Sequence, residues 1–348
     1  MLYTILKFYI KFGLFFYSKK IRISGLKNIP KKGAVMFAVN HPNGLIDSLF
    51  ITTNCPRKNY YLVRASAFKK PLIKKILNAL NLMPVYRIRD GLNQVSKNLE
   101  VFEQCYKLFN NQKVLMIFPE ASHNAKRTVR NLSKGFTRIV FGAIDKNPNL
   151  KITIIPVGVT YQNVGVFPTK IAIKFGIPFQ VNSYYDSNDV HQSANIIKEK
   201  VSNQLKKLSV HIPDDKNYNY ILQKLNDAQV DFTDVNKVNE MIQNKRFPES
   251  KLTPKNHLKP LYYLIIINSF IPFLIWKKIS KKIDELEFVD TFKMTLNIFV
   301  FPIYYGIQSV IISFFFGWEI AGIYFLFSLF LVLIYAKLAP TPTPEHLV

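Results

Sequence analysis

Two apolar segments late in the chain, residues 296–316 and 318–335, set the strongest limit on how it folds. A helix rises ~1.5 Å per residue, so about 20 residues cross a hydrocarbon core of ~30 Å. Each segment has that length. The turn between them, Gly317-Trp318-Glu319, is too short for a domain, so the pair reads as a transmembrane hairpin. Residues 261–276 are also apolar, but the stretch is short and contains Pro272. Lysines flank it on both sides, at 255 and 259 and again at 277, 278, 281 and 282. A full crossing would place lysine on both faces of the membrane, whereas a re-entrant or interfacial segment broken near Pro272 avoids this. The lysine-rich stretch 277–293 and Lys337 are expected on the cytoplasmic side, with Gly317 to Glu319 opposite. Residues 257–338 are therefore read as a membrane region.

Upstream, a different pattern holds. Short apolar runs at 35–39, 60–63, 83–86, 114–118, 152–159 and 171–175 alternate with segments of helical period near 45–53, 71–80, 93–110, 133–146 and 194–208. Such alternation implies an α/β domain, a mixed sheet flanked by helices, over residues 21–208. Residues 209–256 are polar and interrupted by prolines, and read as an accessory helical segment or a linker. Residues 1–20 begin with an apolar, aromatic helix carrying Lys7 and Lys11. Basic residues follow it in place of a cleavage site. It reads as an interfacial membrane helix with snorkelling lysines, or as a helix packed on the domain.

The formal charge of +25 points to polyanionic partners: nucleic acid, anionic lipid or phosphorylated substrates. No helix-turn-helix, RNP-like or zinc pattern accompanies the charge, so nucleic acid is not expected. The two cysteines, Cys55 and Cys105, lie among apolar residues without metal-ligand spacing and read as buried thiols. No metal site is expected.

Chemistry concentrates where the first apolar run stops. Residues 35–39 lead into Asn40-His41-Pro42-Asn43-Gly44-Leu45-Ile46-Asp47. A strand-to-helix turn of this length lets Asp47, in the first helical turn, reach back to His41. A carboxylate on one ring nitrogen fixes the tautomer, leaving the other nitrogen free as a base. The same spacing fits an Asp47 that merely favours a helix start and a His41 that ends a strand. Two further groups stand out. Glu120 follows a core strand in Phe118-Pro119-Glu120-Ala121-Ser122-His123, where a buried carboxylate must be paired or face a ligand. Arg87 and Arg89 end another strand, and Lys134 precedes a helix, which suits phosphate, though taken alone these charges fit a solvated surface better.

In order and spacing, four blocks resemble those of the glycerolipid acyltransferase family, the PlsC-like phospholipid/glycerol acyltransferases. They are the His41–Asp47 block, Pro84-Val85-Tyr86-Arg87, Ile117-Phe118-Pro119-Glu120 and Ile155-Pro156-Val157-Gly158. The resemblance spans about residues 20–180. It implies a PlsC-like acyltransferase domain moving a fatty acyl group onto glycerol-3-phosphate or 1-acyl-glycerol-3-phosphate in phospholipid biosynthesis. The donor would be acyl-CoA or an acidic acyl carrier protein, with no further cofactor, and the domain would lie on the cytoplasmic face of a membrane whose lipid it contacts. His41 would be the general base and Asp47 its partner. Asn43, Arg87, Glu120, Ser122 and Lys134 are the candidate substrate-binding residues, with Arg87 on the acceptor's phosphate. Five residues separate His41 from Asp47 where four are commonest, and Ala121-Ser122-His123 replaces the usual Gly-Thr-Arg. Both features resemble a glycerol-3-phosphate acyltransferase subgroup of fungi and some bacteria. Two alternatives keep different residues idle. An unphosphorylated acceptor, such as an amino-acid lipid, makes Arg87 dispensable. A non-catalytic, membrane-anchored lipid-binding protein has no use for His41 and Asp47 together.

Overall fold

The computed structural model describes residues 2–69, 71–86, 96–252 and 254–342. Its centre is strand β2 (Ala34–Val39), every residue of which is buried. The strand is apolar at every position because both of its faces are covered. Val35, Phe37 and Val39 pack with helix α1 (Leu2–Tyr17), helix α2 (Gly44–Asn54) and residues Met294 and Ile298. Ala34, Met36 and Ala38 enter a second core on the opposite face, with helices α4 (Asn98–Asn110), α5 (Gly135–Lys146) and α6 (Val190–Leu208).

The remaining strands are β1 (Ser18–Ser24), β3 (Asn59–Arg64), β4 (Leu82–Val85), β5 (Val114–Ile117), β6 (Ile152–Tyr161), β7 (Thr169–Phe175) and β8 (Phe179–Gln180); helix α3 (Pro71–Ala79) joins β3 to β4. They form one eight-stranded sheet in the order β1-β7-β6-β2-β5-β3-β4, with β8 pairing β6. Pairing is parallel except where β6 meets β7 and β8. The mixed sheet between helical layers is the α/β fold that the alternation implies. Strand β1 breaks the expected pattern, since Lys19, Lys20 and Arg22 fall inside it. It is an edge strand, and charged side chains are what blunt an exposed edge.

Residues 209–256 contribute helices α7 (Tyr218–Asp227) and α8 (Val235–Asn244). These form a third small core, with Leu225, Phe232 and Val238 packed against Ala172 of β7. Asp231 ties this unit to the sheet edge through Arg22 at 3.2 Å and Lys170 at 3.0 Å.

Helices α9 (Lys259–Asn268) and α10 (Phe270–Ser280) meet at 95°. The bend falls at Ser269, not at Pro272, which sits in the first turn of α10 where no intrahelical N–H bond is lost. The last helical stretch, α11 (Leu286–Leu338), is long and apolar enough to cross a membrane, and is broken at Gly317 (φ 80°, ψ 167°). Its two limbs meet the same residue. Gln308 donates to the Asn268 carbonyl at 3.2 Å, while Tyr324 and Ser328 bond its side chain at 2.6 and 3.0 Å. The chain therefore doubles back at Gly317, leaving Phe314, Phe315, Phe316 and Trp318 exposed near the tip. Helix α1 lies against the first limb, where Gly13 approaches Ile298 so closely that a Cβ would sit 2.1 Å from that side chain. Its other face, with Leu2, Ile5, Phe8, Phe12 and Phe15, is exposed and apolar.

Candidate active site

The site forms where β2 runs out. The Asn40 side chain bonds Val159 of β6 at both backbone groups, at 3.0 and 2.7 Å, and so prolongs the sheet by one residue. His41 then leaves the carboxyl edge of the sheet, where open α/β sheets carry their ligand crevices. Its carbonyl accepts the Asn124 N–H at 3.0 Å and its ring stacks on Phe118, with centroids 3.9 Å apart. Imidazole position and plane are thus both fixed.

His41 Nδ1 lies 2.9 Å from Asp47 Oδ2. The side chain of His41 is 15% exposed and that of Asp47 is 0% exposed. The carboxylate is held by two more donors, the Asn43 backbone N–H to Oδ2 at 2.8 Å and the Tyr161 hydroxyl to Oδ1 at 2.7 Å. Burial, then the negative charge of Asp47, holds the Tyr161 phenol well above its usual pKa, so it donates as a neutral group. With Nδ1–H directed at Asp47, Nε2 is the basic nitrogen, and it makes no hydrogen bond among the described residues. A cavity of about 30 Å³ lies beside the ring, lined by Asn40, Glu120, Asn124, Arg127 and Tyr161 among others.

Glu120 is buried, and it is paired. Arg130 Nε donates to Glu120 Oε2 at 2.8 Å, and another guanidinium nitrogen lies 2.6 Å from the same oxygen. The guanidinium also donates to Ser122 Oγ at 2.7 Å and to the Ser122 carbonyl. Burial raises the Glu120 pKa against the opposing pull of Arg130, with a smaller upward push from Asp47. Glu120 Oε1 has no partner among the described residues.

Residues 20–160 match the Acyltransferase family model.

The matched acyltransferase region contains every candidate site residue named from the sequence. Glycerol-3-phosphate O-acyltransferase 2 of Saccharomyces cerevisiae is 21% identical to this chain over 120 residues, 34% of this chain and 16% of that protein. Glycerol-3-phosphate O-acyltransferase 1 of the same yeast is 21% identical over 119 residues, 33% of this chain and again 16% of the relative. The matched stretch thus spans about a sixth of either relative's length. The crystal structure of the 1-acyl-sn-glycerophosphate (LPA) acyltransferase PlsC from Thermotoga maritima aligns with a TM-score of 0.41 and 18% identity, covering 58% of this chain and 80% of that one.

Within the acyltransferase region, the candidates separate by position. His41 and Asp47 are in contact, with Glu120 lining the cavity beside them. Asn43 is fully buried and turns its side chain away from solvent to Asp290 at 2.7 Å. Ser122 is engaged by Arg130. Lys134 is not brought to this group; its ammonium lies 2.7 Å from His191 Nε2, at the start of α6. Arg87 lies outside the described residues. His123 packs edge-on to His41 with centroids 5.7 Å apart and bonds Glu285, while Glu287 accepts the Ala125 N–H at 2.9 Å. His123, Glu285 and Glu287 each bring a ligand atom within 4.8 Å of one another, a geometry able to hold a cation, though all three already bond protein groups. The sequence reading missed Tyr161, Arg130 and Asp290. Asking what neutralises a buried Glu120 points to Arg130; no local pattern marks the other two.

Proposed function

We propose that this protein is a membrane-bound acyltransferase of the glycerolipid type. It would transfer a fatty acyl group from acyl-CoA or acyl carrier protein to the hydroxyl of glycerol-3-phosphate or 1-acyl-glycerol-3-phosphate. The observation that carries the reading is the oriented imidazole. Asp47 binds Nδ1, and three further contacts fix the pair, so that Nε2 is open to a hydroxyl.

The steps follow from that arrangement. Nε2 takes the proton of the acceptor hydroxyl as its oxygen attacks the thioester carbonyl. Asp47 stabilises the imidazolium that forms, and such positioned acid–base catalysis supplies roughly 10²–10⁴-fold. The first-turn N–H groups of α2, which a helix leaves without intrahelical partners, are the candidates for holding the oxyanion. Collapse of the tetrahedral intermediate expels the thiolate, which takes up the proton, directly or through solvent. Arg87 would bind the acceptor's phosphate. The excess of basic residues favours anionic donors and a negatively charged leaflet. The lysine-rich stretch 277–293 and the chain end would face the cytoplasm, with the catalytic domain on that side.

The test is thiol release by the full chain in detergent, with acyl-CoA and acyl carrier protein donors against a panel of glycerol acceptors. We expect release with a phosphorylated glycerol acceptor and its loss in His41→Ala. No release with any pair, or full activity in His41→Ala, overturns the reading. A tag at Val348 that reacts with an impermeant label on intact cells overturns the orientation.

A further inference from the structure

Asp290 is fully buried, near the start of α11, and belongs to none of the motifs read from the sequence. An ionisable group in that position must be satisfied by donors. An acid near a helix N-terminus ordinarily stabilises the helix from its exposed side. Asp290 does not: its partners all come from other elements. Tyr17 of α1 donates its hydroxyl to Oδ1. Asn43 Nδ2 and the Gly165 N–H donate to Oδ2 at 2.7 and 2.8 Å. Lys293, one turn along α11, donates to the Gly165 carbonyl at 2.7 Å and closes the same junction from behind.

The Asn43 contact is the consequential one. Asn43 Oδ1 is buried without a partner among the described residues, so Asp290 is the hydrogen-bonding anchor of that side chain there. The backbone N–H of the same residue donates to Asp47 Oδ2, the oxygen that also meets His41 Nδ1. A continuous line therefore runs from α11 through Asn43 and Asp47 to the imidazole. Helix α11 also abuts the start of α2, where Gly44 (φ +49°) leaves no room for a Cβ: it would lie 2.6 Å from the Glu287 carbonyl.

We infer that Asp290, carried by the membrane helix, is a positioning residue that sets the Asn43 N–H on Asp47 and so tunes the His41 base. The inference rests on the acyltransferase reading for its catalytic consequence, but the state of His41 can be read without turnover. An Asn43 N–H that drifts off Asp47 leaves more of the carboxylate's charge to His41, which favours the imidazolium.

The experiment uses the full chain in detergent and the variants Asp290→Ala and Asn43→Ala, with melting temperature as a check on folding. The pH dependence of His41 modification by diethylpyrocarbonate, followed by mass spectrometry, should move to higher pH in both. Thiol release should fall about 10–100-fold in kcat, the scale of a catalytic group displaced by ~1 Å, with KM for donor and acceptor within twofold. The acidic limb of kcat/KM should move upward with it. Adding Asp290→Ala to Asn43→Ala should cost little further activity, since both cut the same line. Folded variants with unshifted His41 modification and unaltered kcat overturn the inference. If Asp290→Ala fails to fold, Asn43→Ala decides. Absence of thiol release in the unmodified protein defeats the acyltransferase reading, while the modification profile still judges Asp290.

Discussion

Asp47→Asn is the perturbation whose outcome the geometry specifies most closely. An asparagine offers one acceptor and one donor group where the aspartate offers two acceptors. If its amide nitrogen faced His41 it would also face the Asn43 N–H, which donates to the same Oδ2 position. The carbonyl therefore takes that place, and the amide nitrogen meets Tyr161, whose hydroxyl can turn round to accept. The Nδ1–H tautomer survives and only the charge is lost. A carboxylate and an imidazolium about 4 Å apart at an effective dielectric of about 20 attract by about 4 kcal/mol. Because Asp47 already shares its charge with two other donors, we expect a loss of about 10²–10³ in kcat, near 1.4 kcal/mol per decade. A change that reversed the tautomer would cost about 10⁴. Single-turnover thiol release measures the loss. The acidic limb of kcat/KM should move to lower pH, because the imidazolium has lost its counter-charge. A loss under tenfold, or an unmoved limb, would refute the reasoning. Adding Tyr161→Phe removes the hydroxyl that absorbs the amide and should take the loss beyond that of either single change.

Three other outcomes follow from the same contacts. Arg130→Leu leaves Glu120 buried without its cation, at a cost of about 3–5 kcal/mol, which lowers the melting temperature by roughly 6–20 °C. Burial already raises the Glu120 pKa above 4.5. Between that value and the raised one the folded state binds more protons, so this contribution is present below 4.5 and lost as pH rises through the folded pKa. The Arg130→Leu deficit should therefore shrink as the melt is moved from neutral to acidic buffer; a pH-independent deficit contradicts the assignment. Gly44→Ala forces an L-residue into a left-handed conformation, about 1–2 kcal/mol before its contact with α11 is counted, and should lower both melting temperature and thiol release; an unchanged protein would mean α2 and α11 do not abut. Lys277, Lys278, Lys281 and Lys282 surround a groove of about 370 Å³ floored by Leu274. Replacing all four by glutamine should weaken retention of anionic phospholipid by up to about 4 kcal/mol at low salt, measured by lipid exchange in mixed micelles, with neutral lipid unaffected.

What could be read from the sequence was what neighbours in sequence create. The runs of β2, β5 and β6 are continuous because both faces of the sheet are covered, and such runs announce themselves. Strand β1 was hidden because an edge strand tolerates Lys19, Lys20 and Arg22, and its pairing with β7 appears only when the sheet is assembled. Pro272 suggests a break at its own position, yet a proline in a first turn costs nothing, and the bend between α9 and α10 falls at Ser269. His41 and Asp47 are six residues apart, so a strand-to-helix turn is enough to join them. Tyr161 and Asp290 reach the same carboxylate and its neighbour from 114 and 247 residues away, with no periodicity to mark them. The charge of Lys134 suits an anionic ligand, but its side chain turns from the start of α5 toward His191.

The distance between Asn43 and Asp290 along the chain has a consequence for how the protein is made. A ribosome adding roughly 5–20 residues per second needs about 12–50 s to travel the 247 residues that separate them. Until Asp290 is made, the loop between His41 and Asp47 waits for its last anchor. That anchor comes with the helix that is long and apolar enough to cross a membrane. The order of translation thus leaves the Asn43 side chain without its Asp290 partner until that helix has begun to be made.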